Sequence, residues 1–184
     1  TRTSRGRFAG HAGSMGRHAD DRHRSVDARR ALRLRIALDT NLLVYAEGVN
    51  GPERRDAARR IVDQLHLLHE FVIAVQTLGE LHRVLTGKAK MPSALAAEAA
   101  HSWRRLAHIA PSDETTLTAA CDLIDAHPHQ IWDAIILSAA AEAGCALLLS
   151  EDMQDGFVYR GVTVANPFAE TPHPLLASLL ETPP

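Results

Sequence analysis

Cys145–Leu149 reads CALLL, five apolar residues with no polar interruption. A strand without alternation has no face to give to water. It must be covered on both sides, the condition of a parallel sheet held between helical layers. Ile36–Leu38 (IAL) and Phe71–Val75 (FVIAV) are similar short apolar runs, and Val162–Val164 is predicted as the last strand. Helical stretches lie between them. Residues 52–68 read as an amphipathic helix opened by Pro52, with Ala57, Ala58, Ile61, Val62, Leu65 and Leu68 inward and Arg54, Arg55, Arg59 and Arg60 facing solvent. Thr77 is the expected N-cap of the next helix, and its spacing to Glu80 is that of a capping box. Residues 93–107 are strongly helical by propensity. His108–Pro111 is read as a short strand, and Ser112 or Asp113 as the cap of a helix reaching about Ala126. Residues 130–143 form a helix apolar nearly all round, hence buried, and Gly144 ends it. This alternation predicts an α/β fold, a three-layer α/β/α domain with a mainly parallel central sheet.

A chain of 184 residues suits one domain with flanking segments. The body is expected over 34–168 and a C-terminal tail over 169–184, whose LLASLL patch reads as a docking helix or a frayed end. Residues 1–33 read as an Arg-rich disordered arm, or as a segment added ahead of a natural start at Met15. The first 35 residues carry ten arginines and three aspartates, whereas the rest carry ten basic and nineteen acidic residues. The body is therefore acidic, which argues against gripping nucleic acid by bulk charge. It suits a protein that gathers acids round a cation. No run of about 18 apolar residues occurs, so no helical membrane span is expected. The N-terminus has no apolar core of a secretory signal. Cys121 and Cys145, read in a helix and a strand, are expected to be reduced, buried thiols of a cytoplasmic protein, with no CxxC pair to hold a metal. His127 and His129 flank Pro128 and read as loop histidines.

Four acids occupy one kind of position. Asp39 ends the first strand, Glu80 opens the helix after the second, Asp133 lies early in the buried helix, and Asp152 follows the CALLL strand. Strand ends and the helix starts that follow them share one edge of a parallel sheet, the edge where ligands collect. Each acid has a second reading. Asp39 could cap the helix after it, and Glu80 could complete a capping box. Asp133 shares a helical face with Ile136, Leu137 and Ala140, where a carboxylate needs a cation, a donor set or a cavity. Converging carboxylates repel one another unless a hard cation such as Mg²⁺ or Mn²⁺, which prefers oxygen ligands, sits among them.

The order LDTN, TLGELHRVL, IWDAIILSAA and LLLSEDMQDG resembles the PIN-domain family, and in particular the VapC-type toxins of bacterial toxin–antitoxin pairs. The resemblance spans about residues 35–168 and leaves the Arg-rich arm unexplained. It implies a metal-dependent endoribonuclease in which Asp39, Glu80, Asp133 and Asp152 are the catalytic and metal-holding acids. Thr40 and Asn41 correspond to the polar positions after the first acid, Ser150 to the one before the last, and Asp155 to an additional acid used by some members. It also implies Mg²⁺ or Mn²⁺ as cofactor, RNA as substrate, a cognate antitoxin that covers the acidic cleft, and a homodimer. The expected reaction is in-line hydrolysis of a phosphodiester that leaves 3′-hydroxyl and 5′-phosphate ends.

Two other functions fit parts of the pattern. A PIN-like scaffold could bind RNA or protein without cutting. A haloacid-dehalogenase-type phosphotransferase also begins with an acid after a strand, but that chemistry wants a second Asp two positions on, where this chain has Asn41.

Overall fold

A computed structural model describes residues 33–181. Six strands form one sheet: β1 (Arg35–Leu38), β2 (Glu70–Ala74), β3 (His108–Ala110), β4 (Leu147–Leu149), β5 (Val158–Tyr159) and β6 (Val162–Ala165). Their order is β3-β2-β1-β4-β6-β5, parallel throughout except for the antiparallel edge pair β5–β6. The helices are α1 (Thr40–Ala46), α2 (Pro52–His66), α3 (Val75–Gly87), α4 (Ser93–Leu106), α5 (Glu114–Ala126), α6 (Ile131–Glu142) and α7 (Pro174–Glu181).

Successive strand residues point to opposite faces. Ile36, Leu38, Phe71, Ile73, Leu147 and Leu149 enter one core with side chains of α1, α2, α3, α4 and α7. Ala37, Val72, Ala74 and Leu148 enter a second core with α5 and α6. Both faces of the sheet are therefore covered, as the CALLL run requires. The three-layer α/β/α architecture expected from the sequence is the one found.

Local signals explain most boundaries. Pro52 starts α2 behind Gly51, whose φ of 95° takes the chain through the left-handed region. Asp113 caps α5 by accepting from the Thr116 N–H at 3.1 Å. At the end of α6, Gly144 adopts φ 70°. The Gly144 and Cys145 N–H groups donate to the carbonyls of Ala141 and Ala140, a Schellman closure.

The structure corrects several expectations. Val75 belongs to α3, not to β2, and α3 begins directly from the strand with Ala74 at its N-cap. Thr77 is thus the third residue of α3, not its cap. It is fully buried, and its hydroxyl has no hydrogen-bond partner. Glu80 falls in the second turn and forms no capping box. Arg54 and Arg59 do not simply face solvent: Arg59 Nε donates to the Ala46 carbonyl at 2.8 Å, and Arg54 lies over the rings of Tyr45 and Phe168. Cys145 is buried just ahead of β4, but Cys121 is exposed on α5. The short edge strand β5 was not foreseen. The Arg-rich segment lies, apart from Arg33, outside the described residues.

The LLASLL patch forms α7, and its Leu176 is fully buried in the core shared with α2. Removing a buried leucine costs its transfer energy plus a cavity. Leu176→Ala is expected to lower unfolding free energy by about 2–4 kcal/mol in chemical denaturation. A loss below about 0.5 kcal/mol, the usual range for surface changes, would show that α7 is not integral to the fold.

Candidate functional site

The strand order places β2 on one side of β1 and β4 on the other, so the crossovers change direction between β1 and β4. Ligand sites in open parallel sheets form at such a switch, outside the carboxyl ends of the strands. The pairing of Leu38 with Leu149 brings the next residues, Asp39 and Ser150, side by side. The Asp39 N–H continues the ladder, donating to the Leu149 carbonyl at 3.0 Å.

Asp39 is only 5% exposed. Its Oδ1 accepts from the Thr40 N–H at 2.6 Å, and its Oδ2 accepts from the Ser150 hydroxyl at 2.7 Å. The capping contact therefore does not exclude a site role for the same side chain. Burial pushes its pKa up to about 6 from the usual 3.8, opposed by these two hydrogen bonds, while the charges of Asp133 and Asp152 push it further upward. The Ser150 hydroxyl also accepts from the Met153 N–H at 3.3 Å, which folds the loop after β4 back over the strand end.

The other acids arrive from both helical layers. Glu80, on α3, accepts from the Thr40 hydroxyl at 2.8 Å. Asp152, in the loop after β4, accepts from the Asn41 amide at 2.7 Å. Asp133, in the first turn of α6, is half-buried. Burial raises its pKa, and so do the charges of Asp152 and Glu80, with His129 acting in the opposite direction. These mutual effects mean that the four carboxylates share one electrostatic neighbourhood. Thr40, Asn41 and Ser150 lie among them, and their side chains bond to Glu80, Asp152 and Asp39 respectively. Asp155 is directed elsewhere: its Oδ1 accepts from the Asn166 N–H at 2.8 Å and holds the turn after β6.

The donor set is all oxygen, which suits a hard cation. Among the described residues no three His, Cys, Asp or Glu side chains are drawn together closely enough to grip one ion.

Sequence reasoning missed a brace beneath the site. Glu151 accepts from the Tyr45 hydroxyl at 2.6 Å and pairs with Arg54, whose guanidinium sits 5.3 Å from the Tyr45 ring centroid and 4.5 Å from that of Phe168. Burial and the bond to Glu151 push the Tyr45 phenol up to about 12. One signal was available: Tyr45 lies four residues after Asn41 and so shares its helical face. A second missed feature is a hollow of about 190 Å³ bounded by Asp133, Asp152 and the rings of His127, His129 and Phe157.

Comparison with known proteins gives a consistent result. Residues 36–155 match the family described as PIN domain. The fold is similar to that of Mycobacterium tuberculosis VapC20, a toxin that cleaves the sarcin–ricin loop, at 18% identity and a TM-score of 0.50, over 61% of this chain and 86% of that one. It is similar to VapBC2 from Rickettsia felis, solved bound to a DNA fragment from its promoter, at 18% identity and a TM-score of 0.50, over 65% of this chain and 89% of that one. Curated proteins give no match.

The buried Asp39 sets a pH test. Its folded pKa of about 6 lies above the ordinary 3.8, so between these values the folded chain keeps a proton that the unfolded chain has lost. Stability from this group is full below about pH 4 and falls as pH rises through 6, by on the order of 2–3 kcal/mol. With divalent ions removed by chelator, Asp39→Asn is expected to melt higher than the parent at pH 7.5, and the two to converge near pH 4. A variant that melts lower at pH 7.5 would contradict the burial argument.

Proposed function

Because the chain belongs to the PIN-domain family, we propose that it is a metal-dependent endoribonuclease hydrolysing RNA phosphodiester bonds, and the toxin of a toxin–antitoxin pair. The observation that carries the reading is that Asp133 lies within electrostatic range of Asp39, Glu80 and Asp152 beside the β1–β4 switch, with hydroxyl and amide groups bonded to the other three acids.

Asp39 and Asp133 are the residues assigned to hold Mg²⁺ or Mn²⁺, with Asp152 beside them. A bound ion of this kind supplies charge neutralisation at the phosphate and a lower pKa for bound water. Ser150 and the Thr40 N–H fix both oxygens of Asp39, so its carboxylate cannot swing when substrate enters. The Asn41 amide does the same for one oxygen of Asp152. Thr40 holds Oε2 of Glu80, which leaves Oε1 to orient the attacking water and accept its proton. In-line attack on phosphorus breaks the bond to the 3′ oxygen, which leaves with the bonding pair and takes a proton from solvent, giving 3′-hydroxyl and 5′-phosphate ends.

The likeness to VapBC2 extends the proposal to a partner. A small antitoxin with a basic side chain would find charge complementarity in the acidic cleft, and its removal would free the enzyme. A homodimer and action in the cytoplasm belong to the same proposal. Among the described residues no helix is long and apolar enough to cross a membrane.

Purified protein is expected to cut total cellular RNA with Mg²⁺ or Mn²⁺ and not with chelator. Asp39→Asn and Asp133→Asn should each lower the rate by about a hundredfold or more, on the scale of losing a transition-state stabilising group, with circular dichroism unchanged. Undiminished cleavage by both variants would refute the assignment. RNA binding without cleavage, with no divalent-ion binding in calorimetry, would make the chain a non-catalytic module instead. Thr40→Val is expected to lower kcat about tenfold with little change in KM, since it frees Glu80 without removing a carboxylate; an unchanged kcat would remove the positioning role from Thr40.

A further inference from the structure

The hollow beside Asp133 and Asp152 has a wall the hydrolytic chemistry does not use. His127 and His129 come from the loop between α5 and α6, and Phe157 comes from the loop before β5. The three rings meet edge to face. His129 and Phe157 have centroids 4.7 Å apart at 63°, and His127 and Phe157 lie 5.2 Å apart at 73°. An edge-to-face contact uses the face of one ring and only the edge of the other, so the group retains ring surface that its own contacts do not cover. Only 4% of the chain is aromatic. Phe157 packs against the margin of the core under α5 and α6 but is only half-buried, so one of these few aromatic rings stays partly open beside the acids.

Both loops are held by backbone bonds. The His127 N–H donates to the Leu123 carbonyl at 2.9 Å, closing α5. The His129 N–H donates to the His127 carbonyl at 2.8 Å, a tight turn about Pro128. The Phe157 N–H donates to the Gln154 carbonyl at 3.1 Å. The rings therefore sit on fixed turns, and Gln154 adds an amide to the lining.

We propose that this hollow seats one nucleobase of the single-stranded RNA substrate, next to the scissile phosphate and stacked on the His129–Phe157 pair. The proposal rests on the nuclease reading above. A second phosphate is a poor occupant, because no lysine or arginine lines the hollow to pair with it. A base is uncharged, has a π-face for the rings and has polar edges for the Gln154 amide and the histidine nitrogens. Proteins read single-stranded RNA by splaying bases onto aromatic and histidine side chains. Because Asp133 and Asp152 belong both to the acid cluster and to the hollow, a phosphate at the acids brings its neighbouring base to the rings. Such a contact would let an acidic protein hold a polyanion with little help from bulk charge.

The test uses the full chain and single-stranded oligoribonucleotides carrying 2-aminopurine at each position in turn. Phe157→Leu keeps apolar bulk without the π-face, and His129→Asn keeps polar atoms without the ring; thermal melting checks that both fold. In the parent, fluorescence should be quenched at one position adjoining the cut. In both variants the quench should vanish and KM should rise about five- to a hundredfold, the range for losing one stacked base, while kcat falls less. Quenching that persists in both variants, or RNA that is cut with no position quenched, would overturn the base seat and leave the nuclease reading standing. A parent chain that neither binds nor cuts RNA would overturn both.

Discussion

A carboxylate enclosed at the end of a central strand is costly, and most of the site follows from how Asp39 is accommodated. Removing its charge from water favours the protonated form, and two hydrogen bonds offset only part of that preference. One donor is the first N–H of α1. The other is Ser150, which lies alongside only because β4 pairs with β1 in parallel, with Leu149 opposite Leu38. A shift of one residue in that register would turn the Ser150 side chain to the other face. Sheet register and acid chemistry are therefore one constraint: the strand pairing that buries IAL and LLL is also what supplies Asp39 with its second donor.

Elements with strong local periodicity were legible in the sequence. The apolar runs marked the four principal parallel strands, and the fully apolar stretch at 130–143 marked α6 as buried. Gly144 and Asp113 marked helix ends because each acts on its own backbone neighbours. Features made by distant pairs were not legible. The start of α3 was misplaced because Ala74 offers no side-chain cap, and Thr77, which would have been a good one, lies buried inside the helix. Glu80 looked like half of a capping box, whereas its hydroxyl partner is Thr40, forty residues earlier. The four acids could be placed at one sheet edge from topology alone. That Asp155, three residues after Asp152, bonds instead to the Asn166 N–H depends on the path of a loop, and no periodicity reports it.

The charge distribution gains a physical sense from the fold. Outside the first 35 residues the chain has nine more acidic than basic residues, a poor starting point for attracting a polyanion over long distances. On the proposed nuclease reading, Asp39, Glu80, Asp133 and Asp152 deepen that deficit where a phosphate would have to sit. A field of this sign disfavours occupation by anions in general and favours cations first. Order of arrival then becomes a property of the architecture: positive charge has to precede negative, whether it comes as an ion or as a side chain of another protein.

Glu151 stands between Ser150 and Asp152, yet its bonds run away from both, to Tyr45 on α1 and Arg54 on α2, with Phe168 against the same guanidinium. Four separate segments of the chain thus meet around the Arg54–Glu151 pair, and Glu151 is followed in the chain by Asp152 of the acid cluster. The loop after β4 has little secondary structure of its own, so its stiffness is borrowed from this junction. Local opening there would not be private to the loop; in amide exchange it would be shared by the start of α2 and by the turn that carries Phe168, and the three would open as a single cooperative unit.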